Sequence, residues 1–204
     1  MDHTAPARAE ARRATRLVGL AAVVAAIIGT FVYQSSSSAP SFGEVLRGDH
    51  HGVLAEADGV VPDGTSVFDA DIPAVANLDP GLLEALRRAA TDAAEDGVEF
   101  QVNSGWRSPE YQEQLLREAV SKYGSEEEAA RWVANADTSP PVSGEAVDIG
   151  QSDATAWLSK HGAGYGLCQI YRNEPWHYEL SPEAIDHGCP PMHADPTHDP
   201  RMQQ

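Results

Sequence analysis

The chain has 204 residues, which suits one domain with appendages, and a hydrophobic content of 42 % allows a core of ordinary size. Its formal net charge is −17, and no basic stripe is present to neutralise phosphates, which argues against a nucleic-acid partner. The same balance argues against adhesion to anionic surfaces through charge alone and reads as solubility.

Residues 1–16 carry Arg8, Arg12, Arg13 and Arg16 against Asp2 and Glu10. A run without charge follows at 17–33, LVGLAAVVAAIIGTFVY. As a helix it is about 25 Å long, near the lower limit for spanning a bilayer. The preceding arginines place residues 1–16 in the cytoplasm and the rest outside. A cleaved signal peptide has the same outline, and cleavage would make the protein secreted. Pro40 after Ser37-Ser38-Ala39 is unfavourable for cleavage, so the segment reads as a signal anchor, with the protein on the cell membrane. The acidic part is then the exported part.

Residues 34–70 are rich in Ser, Gly and Asp with little periodicity and read as a flexible linker. His50 and His51 within it could bind metal; a solvated pair is the plainer reading. A folded domain is expected over 71–189. Asp79-Pro80 starts a helix, with Asp as N-cap and Pro at the first helical position. Leu82, Leu83, Leu86, Ala89, Ala90 and Ala93 give it one apolar stripe ending near Gly97. Val98, Phe100 and Val102 alternate over a strand, 98–103. Ser104–Ser108 turns the chain, and Ser108-Pro109 opens a helix to about Lys122 with Tyr111, Leu115, Leu116 and Val120 inward. Ser125-Glu126-Glu127-Glu128 is a capping box for a helix to about Asn135.

Ala146–Ile149 reads as a strand holding one acid, Asp148, between apolar neighbours. A carboxylate there is costly unless paired or bound to a metal. Ser152–His161 is expected to be a helix burying Ala156, Trp157 and Leu158, with His161 structural at its end. Two neighbouring strands follow, 165–171 and 176–180. If the strands holding Asp148 and His177 lie side by side, Asp148, Glu174 and His177 converge at one end. That set supplies two metal ligands and a spare base, or merely a buried hydrogen-bonded pair. Cys168 and Cys189 are the only cysteines. In an exported part they pair as a disulfide, unless Cys168 is a plain core residue. Residues 190–204 read as an irregular tail in which His193 and His198 are solvated. Together the elements predict an α+β domain, a small and mostly antiparallel sheet flanked by helices.

SGWRS at 104–108, Gly144-x-Ala146-x-Asp148, WL at 157–158, YG at 165–166 and EPWH at 174–177 occur in one order and spacing. That series resembles the VanY-like zinc D-alanyl-D-alanine carboxypeptidases, whose smaller relatives include the VanX-type dipeptidases. The resemblance runs from about 78 to 180. It implies the fold those enzymes share with hedgehog-like zinc peptidases, a zinc cofactor, and peptidoglycan stem peptides ending in D-Ala-D-Ala as substrate. Carried over, Asp148 and His177 bind metal, Glu174 is the general base and Arg107 stabilises the oxyanion. Gln112 and Ser139 line the substrate cleft. The family pattern also has a ligand His three residues before the glycine; here that position is Pro141. The third donor would have to be His161, a tail His or water. Without it, hydrolysis is expected to be impaired. The alternatives are a non-catalytic peptidoglycan-binding module and a membrane-tethered interaction domain.

Overall fold

The computed structural model describes residues 54–203. The expected membrane segment at 17–33, residues 1–16 and the His50-His51 pair lie outside the described residues. Among the described residues, no helix is long and apolar enough to cross a membrane.

Four strands make one antiparallel sheet: β1 (Gln101–Ser104), β2 (Ala146–Gly150), β3 (Leu167–Gln169) and β4 (His177–Leu180), in the order β1-β2-β4-β3. Among the described residues, three helices of ten residues or more accompany it: α1 (Pro80–Glu95), α2 (Pro109–Tyr123) and α3 (Ser152–His161). This is the α+β architecture expected. The α1 start follows its sequence: both the Gly81 and Leu82 amides donate to the Asp79 carboxylate, which satisfies donors that a helix start leaves open.

The period of two in the strands divides the sheet into two faces. Val147, Ile149 and Tyr178 pack with Leu82, Leu86 and Leu158 in the main core. Asp148, His177 and Glu179 point to the other side, and register sets Asp148 opposite His177 and Ala146 opposite Glu179. A second apolar cluster joins Tyr111, Leu115 and Ala119 of α2 to Ala129 and Val133.

Several boundaries differ from those expected. The strand read at 98–103 pairs only over β1, and its register with β2 shifts between Val102 and Ser104. Ala154, not Ala156, is the buried alanine of α3; it completes the i, i+3, i+4 stripe with Trp157 and Leu158. The helix opened by Ser125 stops at Ala129. The carbonyls of Arg131 and Ala134, which a longer helix would use, accept the amides of Asn173 and Gln112 instead.

Packing also begins before Asp71. Val67 is fully buried in the main core, and the Val102 amide donates to the Thr65 carbonyl. A single core residue among turn residues leaves no periodicity to read, so the linker drawn to residue 70 extends too far. At the other end, Cys168 and Cys189 form a disulfide across 21 residues with Cα atoms 5.6 Å apart. Loop closure of that length stabilises by roughly 3 kcal/mol. The tail beyond it makes only two short 3₁₀ turns, Pro196–His198 and Pro200–Gln203, yet buries Asp195, Pro196 and Asp199. It is irregular, as read, but packed through polar anchors that no hydrophobic pattern announces.

Those two aspartates predict the acid behaviour. Burial pushes both carboxyls up. Hydrogen bonds from Thr197, His198 and Arg131 to Asp195, and from Arg201 and Tyr171 to Asp199, outweigh it and hold both at about 2. An unfolded Asp titrates near ~3.9, so their stabilisation is present above that pH and is lost as pH falls from about 4 towards 2. Urea midpoints measured across that range should fall for the native protein. Asp199→Asn should lower the midpoint at pH 6 and flatten the acid slope; an unchanged slope would show that Asp199 contributes nothing.

Candidate functional site

The turn after β1 delivers Arg107. Gly105 permits it, because a Cβ there would lie 2.2 Å from the Ala74 carbonyl oxygen. Arg107 is buried, and three of the five N–H donors of its guanidinium are engaged. Nε donates to Ser104 Oγ at 2.7 Å, Nη1 to Gln112 Oε1 at 3.1 Å and Nη2 to Asp148 Oδ2 at 3.1 Å. Gln112 in turn donates to the Ala134 carbonyl at 2.7 Å, which explains a glutamine on the inward face of α2.

Asp148 bridges this arginine to the histidine. Its Oδ1 is 3.0 Å from His177 Nδ1, while Glu179 Oε1 lies 3.3 Å from His177 Nε2. Glu174, held at the mouth of β4, places Oε2 3.7 Å from His177 Nδ1. Arg201 of the tail closes the row, donating from Nη1 to Glu179 Oε2 at 2.6 Å.

The electrostatics follow from burial and pairing. Burial opposes charge on His177, but the Asp148 and Glu179 hydrogen bonds outweigh it and raise the imidazole to about 10. Burial raises Glu179 too, yet His177 and Arg201 bring its carboxyl below the usual range. Glu174 has no such partners: burial pushes it up to about 8, partly offset by His177. Its Oε1 and the Ser139 hydroxyl are buried without a hydrogen-bond partner.

Arg107, Gln112, Ser139, Asp148, Glu174 and His177 thus all border one cleft of about 30 Å³, as the sequence reading required. Sequence reasoning missed Glu179, although it shares a strand face with His177 two residues away, a period-two signal that was available. It also missed Trp132, Tyr171, Pro196 and Met202, which line the same cleft.

A catalytic zinc normally takes three protein ligands. The proline at 141 offers only its carbonyl, which already accepts the Arg107 and Gly144 amides, each at 3.2 Å. Asp148 and His177 are bonded to each other, and their remaining polar atoms face Arg107 and Glu179. The substitutes do not reach in. His161 packs at a tilt against Trp157 with ring centroids 4.6 Å apart, His193 has its ring centroid 6.4 Å from that of Tyr171, and His198 pairs with Asp195. Among the described residues, no group of three or more His, Cys, Asp or Glu could hold a metal ion. The residues present do not fit a resident catalytic zinc.

Residues 75–183 match the family VanY, D-alanyl-D-alanine carboxypeptidase. A D-alanyl-D-alanine carboxypeptidase of Enterococcus faecalis is 28 % identical over 139 residues, covering 54 % of this chain and 52 % of the relative. The chain therefore spans about half the length of that curated relative. Among solved structures, VanYB in complex with D-alanine-D-alanine is 27 % identical with a TM-score of 0.50, covering 54 % of this chain and 74 % of that one. A mutant of the vancomycin-resistance D,D-pentapeptidase VanY in complex with Zn(II) is 28 % identical with a TM-score of 0.48, covering 50 % and 72 %.

The raised Glu174 carries a stability cost with a definite sign. An unfolded glutamate loses its proton near ~4.3, whereas the folded one keeps it until about pH 8, so stability declines as pH rises through that window. Glu174→Gln, isosteric with the protonated acid, should be more stable than native by roughly 1–3 kcal/mol at pH 8. The gap should narrow towards pH 5. Thermal melts at the two pH values check this, and a variant less stable at pH 8 would contradict it.

Proposed function

The chain belongs to the VanY family of D-alanyl-D-alanine carboxypeptidases, and from that premise we propose an exported, membrane-anchored protein that takes the D-Ala-D-Ala end of peptidoglycan stem peptides into the Arg107–Glu174 cleft. Its hydrolytic turnover is impaired by Pro141. The observation that carries the reading is the convergence of Arg107, Ser139, Asp148 and the Glu174–His177 pair, from four separate stretches, on one cleft.

Each side chain has a task that its surroundings favour. Arg107 is fixed by three acceptors and presents a preorganised positive charge to a carbonyl or carboxylate oxygen; such donors are worth ~3–4 kcal/mol where they face developing charge. The Ser139 hydroxyl, buried without a partner, is free to bond a peptide group. Glu174, pushed up to about 8 by burial, can hold a proton for the leaving amine or take one from water. Gln112 keeps the guanidinium in plane. The anchor at 17–33 would keep this acidic domain at the outer membrane surface, next to the wall.

Pro141 favours a second reading, a peptidoglycan-binding module with no turnover. Release of D-alanine from a pentapeptide, together with zinc content by mass spectrometry, separates the two. The native protein should hold less than one zinc per chain and turn over slowly, and Pro141→His should raise both by about tenfold or more, since weaker perturbations of zinc sites already cost ~10–100-fold. No change in either would show that residue 141 is not the missing ligand position. Arg107→Ala should weaken pentapeptide binding by calorimetry, and Glu174→Ala should remove turnover while leaving binding in place. Binding by the native protein with no D-alanine release would assign the second reading. Absence of both would remove the stem peptide as ligand.

A further inference from the structure

One wall of the cleft does not belong to the sheet or to the helices. Pro196 and Met202 line the cleft together with Arg107, Asp148, Glu174 and His177. A space of about 30 Å³ corresponds to one or two waters; the end of a peptide does not fit while those two side chains stay in place.

The segment that carries them is fastened at discrete polar points. It leaves the Cys168–Cys189 disulfide and pairs briefly with the strand-side chain through His193 and Tyr171. Asp195 then meets Arg131 at 3.1 Å, Asp199 accepts from the Tyr171 hydroxyl at 3.0 Å, and Arg201 reaches Glu179 at 2.6 Å. No large apolar side chain of this segment enters the core: Met192 is exposed and Met202 is only half-buried. Two of the fasteners, Arg131 and Arg201, are half in solvent, with side-chain exposures of 50 % and 49 %. Beneath the segment, Ser139 Oγ and Glu174 Oε1 are buried without a partner. Buried polar atoms are seldom left so, and a ligand would satisfy them.

We infer that residues 194–203 form an autoinhibitory strap, latched by ion pairs across the mouth of the cleft, which must lift before a ligand can enter. Only the identity of that ligand rests on the stem-peptide reading; the strap itself does not.

The test uses the full chain carrying Ser139→Cys, a near-isosteric change at a hydroxyl with no hydrogen bond to lose. The rate at which iodoacetamide alkylates the new thiol reports access to the cleft, with no ligand present and the native disulfide intact. Alkylation should be slow in this background and at least tenfold faster when Arg201→Ala is added. Arg131→Ala, at a half-exposed anchor outside the cleft, should accelerate it by about threefold or more, and thermal melts identify the variants that remain folded. Rates within twofold of one another in folded variants would overturn the strap, as would alkylation of the parent at the rate of a free thiol. A pentapeptide ending in D-Ala-D-Ala is then titrated by calorimetry into Arg201→Ala with Ser139 intact. Binding there tighter than to the native chain supports both inferences, whereas fast alkylation of the cysteine variant with no binding in this titration keeps the strap and removes the stem peptide.

Discussion

The structure depends on how a row of buried charges is held together. Asp148, His177 and Glu179 share the side of the sheet turned away from the main core, and all three are nearly inaccessible to water. Burying such groups is tolerated only when each charge has a partner in good geometry. Two arginines meet that demand from opposite ends of the row, Arg107 on Asp148 and Arg201 on Glu179. Much else follows. Ser104 and Gln112 are polar because the first arginine needs acceptors, and Asp199 lies beside the second for the same reason. The chain terminus folds back because its arginine completes the row.

Much of this arrangement is legible in the amino-acid sequence, because it rests on local periodicity. Alternation around Asp148 and around His177 defines two strands, and their pairing brings the acid opposite the imidazole. The Asp79-Pro80 start and the apolar stripe of α1 are equally local. What escapes such reading is contact between distant, weakly patterned stretches. Arg201 lies 22 residues beyond Glu179 in a segment dominated by proline, aspartate and histidine, and nothing around it marks a partner. Val67 is a lone core residue between turns. Beyond the early stop at Ala129, the Ala134 and Arg131 carbonyls accept side-chain amides from the distant Gln112 and Asn173. In each case tertiary contacts, not propensity, decide the outcome.

Pro141 sits in a tightly fixed loop. The short helical turn Pro140–Ser143 ends in Gly144 with φ of +79°, and a Cβ at that glycine would meet the Asn77 carbonyl oxygen at 2.4 Å. The Asp79 amide donates to the Gly144 carbonyl, so the loop is stitched to the start of α1. The loop is therefore held in place around a residue that has no side-chain donor. The proline carbonyl holds the Arg107 amide, which gives this position a part in placing the guanidinium whatever its side chain. Fold alone does not settle chemistry.

The disulfide between Cys168 and Cys189 has a topological consequence. It joins β3 to the chain just after the short helical turn Ala184–His187 and just before the last fourteen described residues. A protease that severed the backbone between Leu180 and Cys189 would find Ile185 on the surface. The severed fragment would nonetheless stay covalently attached to the sheet. In an oxidising compartment the C-terminal piece survives such a nick as part of the molecule, and only reduction together with cleavage can carry it away.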